Sequence, residues 1–144
     1  VVAAASGVQN KEELAGKVVA VQKDSSALAA LNDEENADNI ALRDSFAQLI
    51  EYADYNTAFM DLEQGAIDAL AIDVGVADYQ IASRGEGFVK LSENLASEQY
   101  GIGFKLGNTE LRDEVNDAIH ELKDNGTFDK LAEKYGLSDM TCLK

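Results

Sequence analysis

The sequence predicts an α/β fold: an open, mainly parallel sheet flanked by helices. Three observations carry that expectation. Strand-like apolar runs alternate with segments of helical spacing, the pattern of parallel strands joined by crossover helices. The run Ile67 to Ile72 is apolar on both parities apart from Asp68, as a strand covered on both faces requires. With 144 residues, 46% of them hydrophobic and 27% charged, the chain can pack one core and is too short for two independent domains.

The elements follow in order. Val1 to Ala5 is a short apolar strand, and Lys11 to Leu14 a helical turn that ends at Gly16. Lys17 to Val21 is the second strand. Ser25 to about Asn32 and Asp38 to Phe46 have helical spacing, separated by the polar break Asn32 to Asn36, which lacks the spacing and glycine of a calcium loop. Gln48 to Tyr52 is a strand. Asn56 stands as an N-cap before Ala58, Phe59 and Leu62 on one helical face, with Gly65 as the stop. After the strand Ile67 to Ile72, Val74 to Ala82 is helical, and Phe88 to Leu91 and Tyr100 to Lys105 are further strands. Asn108 is placed to cap a long helix whose Leu111, Val115, Ala118, Ile119 and Leu122 form one stripe. Asn125-Gly126 ends it. Thr127 is placed to cap a last helix carrying Phe128, Leu131, Ala132 and Tyr135, before Gly136.

Composition excludes several functions. Twelve Lys and Arg against 27 Asp and Glu give a net charge of −15, which repels phosphate backbones and excludes nucleic acid as a partner. No apolar run approaches the ~20 residues of a membrane helix. One cysteine, Cys142, allows no internal disulfide, and with one histidine, His120, no Cys/His zinc site. No nucleophile elbow, phosphate loop or histidine–nucleophile pair is present, so no catalytic residue, cofactor or metal is expected. The chain opens on Val1-Val2 without an initiator Met or a signal-peptide pattern, and reads as a piece of something longer.

Two strand ends carry candidate chemistry, because ligands of open α/β sheets bind at the carboxyl ends of the strands. After Val18 to Val21 comes Gln22-Lys23-Asp24-Ser25-Ser26, opening directly into a helix. Amide groups at that start and two hydroxyls suit a carboxylate; the competing reading is that Ser25 or Ser26 caps the helix. After Ile67 to Ile72 comes Asp73, an acceptor-only carboxylate that suits an ammonium group; the competing reading is a cap for the helix starting at Val74. Together the two ends describe a site for a zwitterion such as a free amino acid.

The run Glu13 to Gln22 (ELAGKVVAVQ), the segment Asp24-Ser25-Ser26, the run Met60 to Asp73 (MDLEQGAIDALAID), Glu98 to Lys105 (EQYGIGFK) and the closing stretch Leu111 to Tyr135 resemble, in this order, the family-3 solute-binding proteins of ABC transporters for polar amino acids. The resemblance implies a lobe of the type II periplasmic binding fold, with hinge strands and C-terminal helices. Residues 1–5 would be the first hinge strand, 6–98 the second ligand-binding lobe, complete, and 99–105 the second hinge strand. Residues 106–144 would be C-terminal helices that pack on the first lobe in relatives, most of that lobe being absent. Asp73 would hold the ligand's ammonium, Ser25 and Ser26 its carboxylate, and Gln22 would reach its side chain. Lys23-Asp24 departs from the pattern, with an acid where glycine usually lets the backbone approach.

The implied function is capture of a free polar amino acid and its delivery to the ABC transporter permease, without enzymatic activity. The implied location is extracellular or periplasmic, with room for a lipid anchor in the missing N-terminal part. Two other classes use the same scaffold: a cyclic amino-acid dehydratase-like enzyme, for which Asp73 is the one acid/base candidate, and the effector-binding lobe of a regulator. With the first lobe absent, the C-terminal helices are expected to fold back onto residues 6–98 or, preferably, to exchange with a second copy as a domain-swapped homodimer.

Overall fold

Val18, Val19 and Val21 make the stiff, β-branched centre of the first long strand, and the sheet grows on both sides of it. The computed structural model describes residues 1–143. Its strands are β1 (Val2–Ala3), β2 (Val18–Gln22), β3 (Gln48–Tyr52), β4 (Ala69–Ala71) and β5 (Phe88–Val89). The helices are α1 (Ser26–Leu31), α2 (Ala37–Ser45), α3 (Tyr55–Glu63), α4 (Val74–Arg84), α5 (Thr109–Asp124) and α6 (Thr127–Lys134), with single 3-10 turns at Ala4–Ser6, Glu12–Leu14 and Ser138–Met140.

The chain divides into two compact units, Val1–Ser97 and Glu98–Lys144. The first holds one sheet in the order β3-β2-β4-β1-β5. β2 pairs in parallel with β3 and β4, while β1 runs antiparallel between β4 and β5. The expected open, mainly parallel sheet flanked by helices is therefore observed.

Period-two alternation divides the apolar residues between two faces. Ala20 and Leu70 join Phe59, Leu62, Ile67 and Phe88 in one cluster, whereas their neighbours Val19 and Ala69 join Val2 and Leu14 in another. The Phe59 and Phe88 rings meet edge to face at 5.3 Å, and the Arg84 guanidinium lies 4.9 Å above the Phe59 ring.

Several boundaries differ from the sequence expectation. The cap of α3 is Asp54, not Asn56: the Thr57 amide donates to Asp54 Oδ1 at 2.9 Å, and Asn56 instead accepts from Arg84 at 3.0 Å. The strand expected over Ile67 to Ile72 shortens to β4; at its start the Asp68 carboxylate, rather than a backbone carbonyl, accepts from the Val18 amide at 2.8 Å. The strand expected over Phe88 to Leu91 keeps two residues, those opposite β1.

The second unit contains α5 and α6 joined at Gly126, whose φ of 76° is the left-handed turn that lets one helix end and the next begin. Neither expected cap acts through its side chain there: Asn108 and Thr127 make no capping bond, and the Thr127 amide donates to Asn125 Oδ1 at 2.9 Å. The strand expected over Tyr100 to Lys105, the second hinge strand of 99–105, does not form; this segment is irregular. A strand exists only through a ladder partner, and among the described residues this unit contains no strand to supply one.

Candidate functional site

The chain leaves β2 for β3 on one side and later returns to β4 on the other, so the strand order reverses at β2. The carboxyl ends of β2 and β4 therefore border the switch-point crevice where open α/β sheets bind ligands. Val21 is in register with Ala71, and Gln22 with Tyr52. Three loops consequently leave the sheet at one level, each opening a helix: Lys23 to Ser25 before α1, Ala53-Asp54 before α3, and Ile72-Asp73 before α4.

Each loop ends in a capping side chain. Ser25 Oγ accepts from the Leu28 amide at 3.2 Å and donates to the Gln22 carbonyl at 2.7 Å. Asp73 Oδ1 accepts from the amides of Gly75 at 2.9 Å and Val76 at 3.1 Å. The competing readings from sequence thus hold for both residues: each is a helix cap. Ser26 is the first residue of α1 and exposed. Gln22 is half-buried, and its Nε2 donates to the Ala53 carbonyl at 3.2 Å, bridging the first loop to the second. The Lys23 amide donates to the Tyr52 carbonyl at 2.8 Å and continues that bridge.

Asp24 has a φ of 56°, the left-handed region that glycine enters freely and aspartate tolerates better than most residues. That backbone is one a glycine would adopt without strain, so the acid stands where the resemblance implies a small residue. Sequence reasoning missed Asp54, whose Oδ2 also accepts from Thr57 Oγ1 at 3.0 Å. The amide and hydroxyl of Thr57 hold the Asp54 carboxyl below its ordinary range. The signal was present in residue type: Asp is among the preferred N-caps and stands directly before the helical run.

Among the described residues, no three His, Cys, Asp or Glu side chains converge as a metal cluster, and no helix is long and apolar enough to cross a membrane. One shallow apolar concavity in the first unit is lined by Ile81, Phe88 and Val89, and one in the second unit by Phe128, Leu131 and Tyr135. The chemistry of the strand ends is polar, and a shallow apolar dimple offers nothing to a zwitterion.

Residues 8–138 match the profile of the bacterial extracellular solute-binding proteins, family 3. The chain belongs to that family. The ABC transporter glutamine-binding protein of Bacillus subtilis is 27% identical over 110 residues, 76% of this chain and 40% of that protein. The lysine/arginine/ornithine-binding periplasmic protein of Escherichia coli is 28% identical over 131 residues, 86% of this chain and 48% of that protein. A mutant of ArgBP from T. maritima superposes with a TM-score of 0.74 at 29% identity, covering 93% of this chain and 55% of the other. The chain thus spans about half or less of the length of the curated relatives it matches. Both curated relatives carry amino-acid-binding names rather than enzymatic ones.

Proposed function

We propose that this chain is the second lobe, with hinge segments and C-terminal helices, of the amino-acid-binding component of an ABC importer. The intact protein captures a free polar amino acid between two lobes, closes over it by hinge motion and delivers it to the membrane permease. In this reading residues 6–98 are the lobe, 1–5 and 99–105 the two crossings, and 106–144 the helices that belong with the first lobe. The protein works outside the cell membrane, in the periplasm or extracellular space.

The observation that carries the reading is the register of Val21 opposite Ala71, which starts the Ser25-Ser26 and Asp73 loops at one level on adjacent strands. Asp73 accepts the α-ammonium. The start of α1, with Ser25 and Ser26, receives the carboxylate, and Gln22 meets the ligand side chain. The isolated 144-residue chain pairs with a second copy to cover the apolar stripes of α5 and α6.

A thermal-shift panel of the twenty amino acids on the full-length protein tests the reading. One amino acid, or a chemically related few, is expected to stabilise it, by roughly 2.7 kcal/mol at 100 times Kd. The 144-residue chain, with half a cleft, is expected to bind the same ligand at about millimolar strength or weaker. No shift with any amino acid, or turnover of a cyclic amino-acid substrate such as arogenate, contradicts it.

A further inference from the structure

Asn39 is the one buried polar side chain among the described residues, 4% exposed on α2 where a polar residue ordinarily faces water. Its Nδ2 donates to two carbonyls, Ala30 in the last turn of α1 and Leu95, both at 3.0 Å. A primary amide has two hydrogens to give, so the donor capacity of Asn39 is fully used by these bonds. The second bond reaches 56 residues along the chain.

Leu95 lies in a stretch with no helix or strand, from Lys90 to Asn108. Irregular backbone stays in place only if something outside it takes up its polar groups. Here the ties fall on consecutive residues. The Lys11 amide donates to Glu93 Oε2 at 2.8 Å, Lys11 Nζ donates to the Asn94 carbonyl at 3.2 Å, and Asn39 takes the carbonyl of Leu95. Leu91, just before them, packs on the Val2, Leu14, Val19 and Ala69 cluster. This strap therefore has an apolar foot and three polar ties, and it ends at Ser97, the last residue of the first compact unit.

We propose that Asn39 is the latch of this strap, a positioning residue that fixes residues 91–97 to the strand–helix unit as part of one rigid body. Of the three ties, only the one to Asn39 is made by a buried side chain; those from Lys11 stand at the surface, where water competes. Where this bears on function it rests on the hinge motion proposed above: the strap moves with the first unit, and bending begins beyond residue 97.

The test is backbone 15N relaxation on the 144-residue chain and its Asn39→Leu variant, which keeps the volume and the helix of α2 and removes both donors. In the wild type, residues 92–97 are expected to show rigid order parameters of about 0.85, falling below about 0.6 in Asn39→Leu, while β2 and α3 stay unchanged. A strap that stays rigid in Asn39→Leu, one already mobile in the wild type, or an equal loss of order in β2 would overturn the proposal. Should Asn39→Leu not fold, Lys11→Met with Glu93→Ala loosens the strap from the surface. The latch then requires 92–94 to gain motion while Leu95 keeps its order, and loss of order at Leu95 contradicts it. None of these measurements involves an amino acid, so failure here leaves the binding proposal standing, and failure of binding leaves the latch standing.

Discussion

Phe59 on α3 and Leu131 on α6 hold equivalent places in their sequence patterns, each in the apolar stripe of a short amphipathic helix, yet Phe59 is 0% exposed and Leu131 46%. The same contrast runs through the two units. In Val1–Ser97, α3 lies on a sheet whose alternating residues supply both faces of a core. In Glu98–Lys144, α5 buries no residue, Leu111 is 45% exposed, and Ala132 is the one buried apolar residue among those described. A helical period is enough to make a helix, but a core needs a second layer for the stripe to lie on. The second unit has two helices packed on each other and, among its described residues, no sheet for the stripe to lie on.

If that contrast is right, truncating Phe59 should have the largest effect. Phe59→Ala removes a ring packed between Phe88 and Arg84 and is expected to cost about 3–5 kcal/mol of unfolding free energy. Chemical denaturation followed by circular dichroism measures it, and a loss under about 1 kcal/mol would mean that the first unit is not the one with the core.

A polar tie between layers should come next. Tyr52 on β3 donates its hydroxyl to Asp61 Oδ2 on α3 at 2.6 Å, and this bond, then desolvation, then the Asp61 charge push the phenol up to about 12 from 10.0. A raised pKa means the folded state favours the protonated phenol. Its contribution is therefore complete below pH 10.0 and is lost as the pH rises towards about 12. Tyr52→Phe is expected to cost about 1 kcal/mol at neutral pH, and the difference from wild type should vanish in strong alkali. Phenolate absorbance should show a tyrosine titration near 12 missing in the variant; an unchanged titration curve would contradict the tie.

The smallest effect belongs to the second unit. Leu131→Ser is expected to change the stability of the monomer by about 0.5 kcal/mol or less, as surface substitutions do. The same change should weaken self-association of the 144-residue chain in light scattering. A wild-type chain that stays strictly monomeric at high concentration would sink the pairing with a second copy.

How much of this was legible in the sequence depended on the range of the contacts. β3 was read to its exact bounds, and β2 and the long helix α5 nearly so, because local periodicity and glycine stops report them. Gly65, Gly126 and Gly136 all take the positive φ that a helix stop uses. Asp54 was missed because Asn56, two residues on, is an equally good cap by type; Arg84, 28 residues away, decides the matter by engaging Asn56. Tyr100 to Lys105 reads as a strand by composition but joins no ladder, and ladder formation is something no local pattern can report. Asn39 looked like any polar residue on a helix, since its bond to Leu95 spans 56 positions. At the candidate site, Ser25 and Asp73 are legible as strand-end residues because each follows an apolar run and opens a helix, and both cap the helix they open.

The two roles of Asp73 can be separated, because asparagine caps a helix about as well as aspartate but carries no charge. The decisive measurement is calorimetric titration of the full-length protein and its Asp73→Asn variant with the amino acid that stabilises the wild type. The account predicts a loss of roughly 2–5 kcal/mol in binding free energy, as for a truncated charge pair, with the melting temperature of the unliganded protein unchanged. An affinity within about threefold of wild type, a difference of under 1 kcal/mol, would leave Asp73 as a cap alone and contradict its place as the acceptor of the ligand's ammonium.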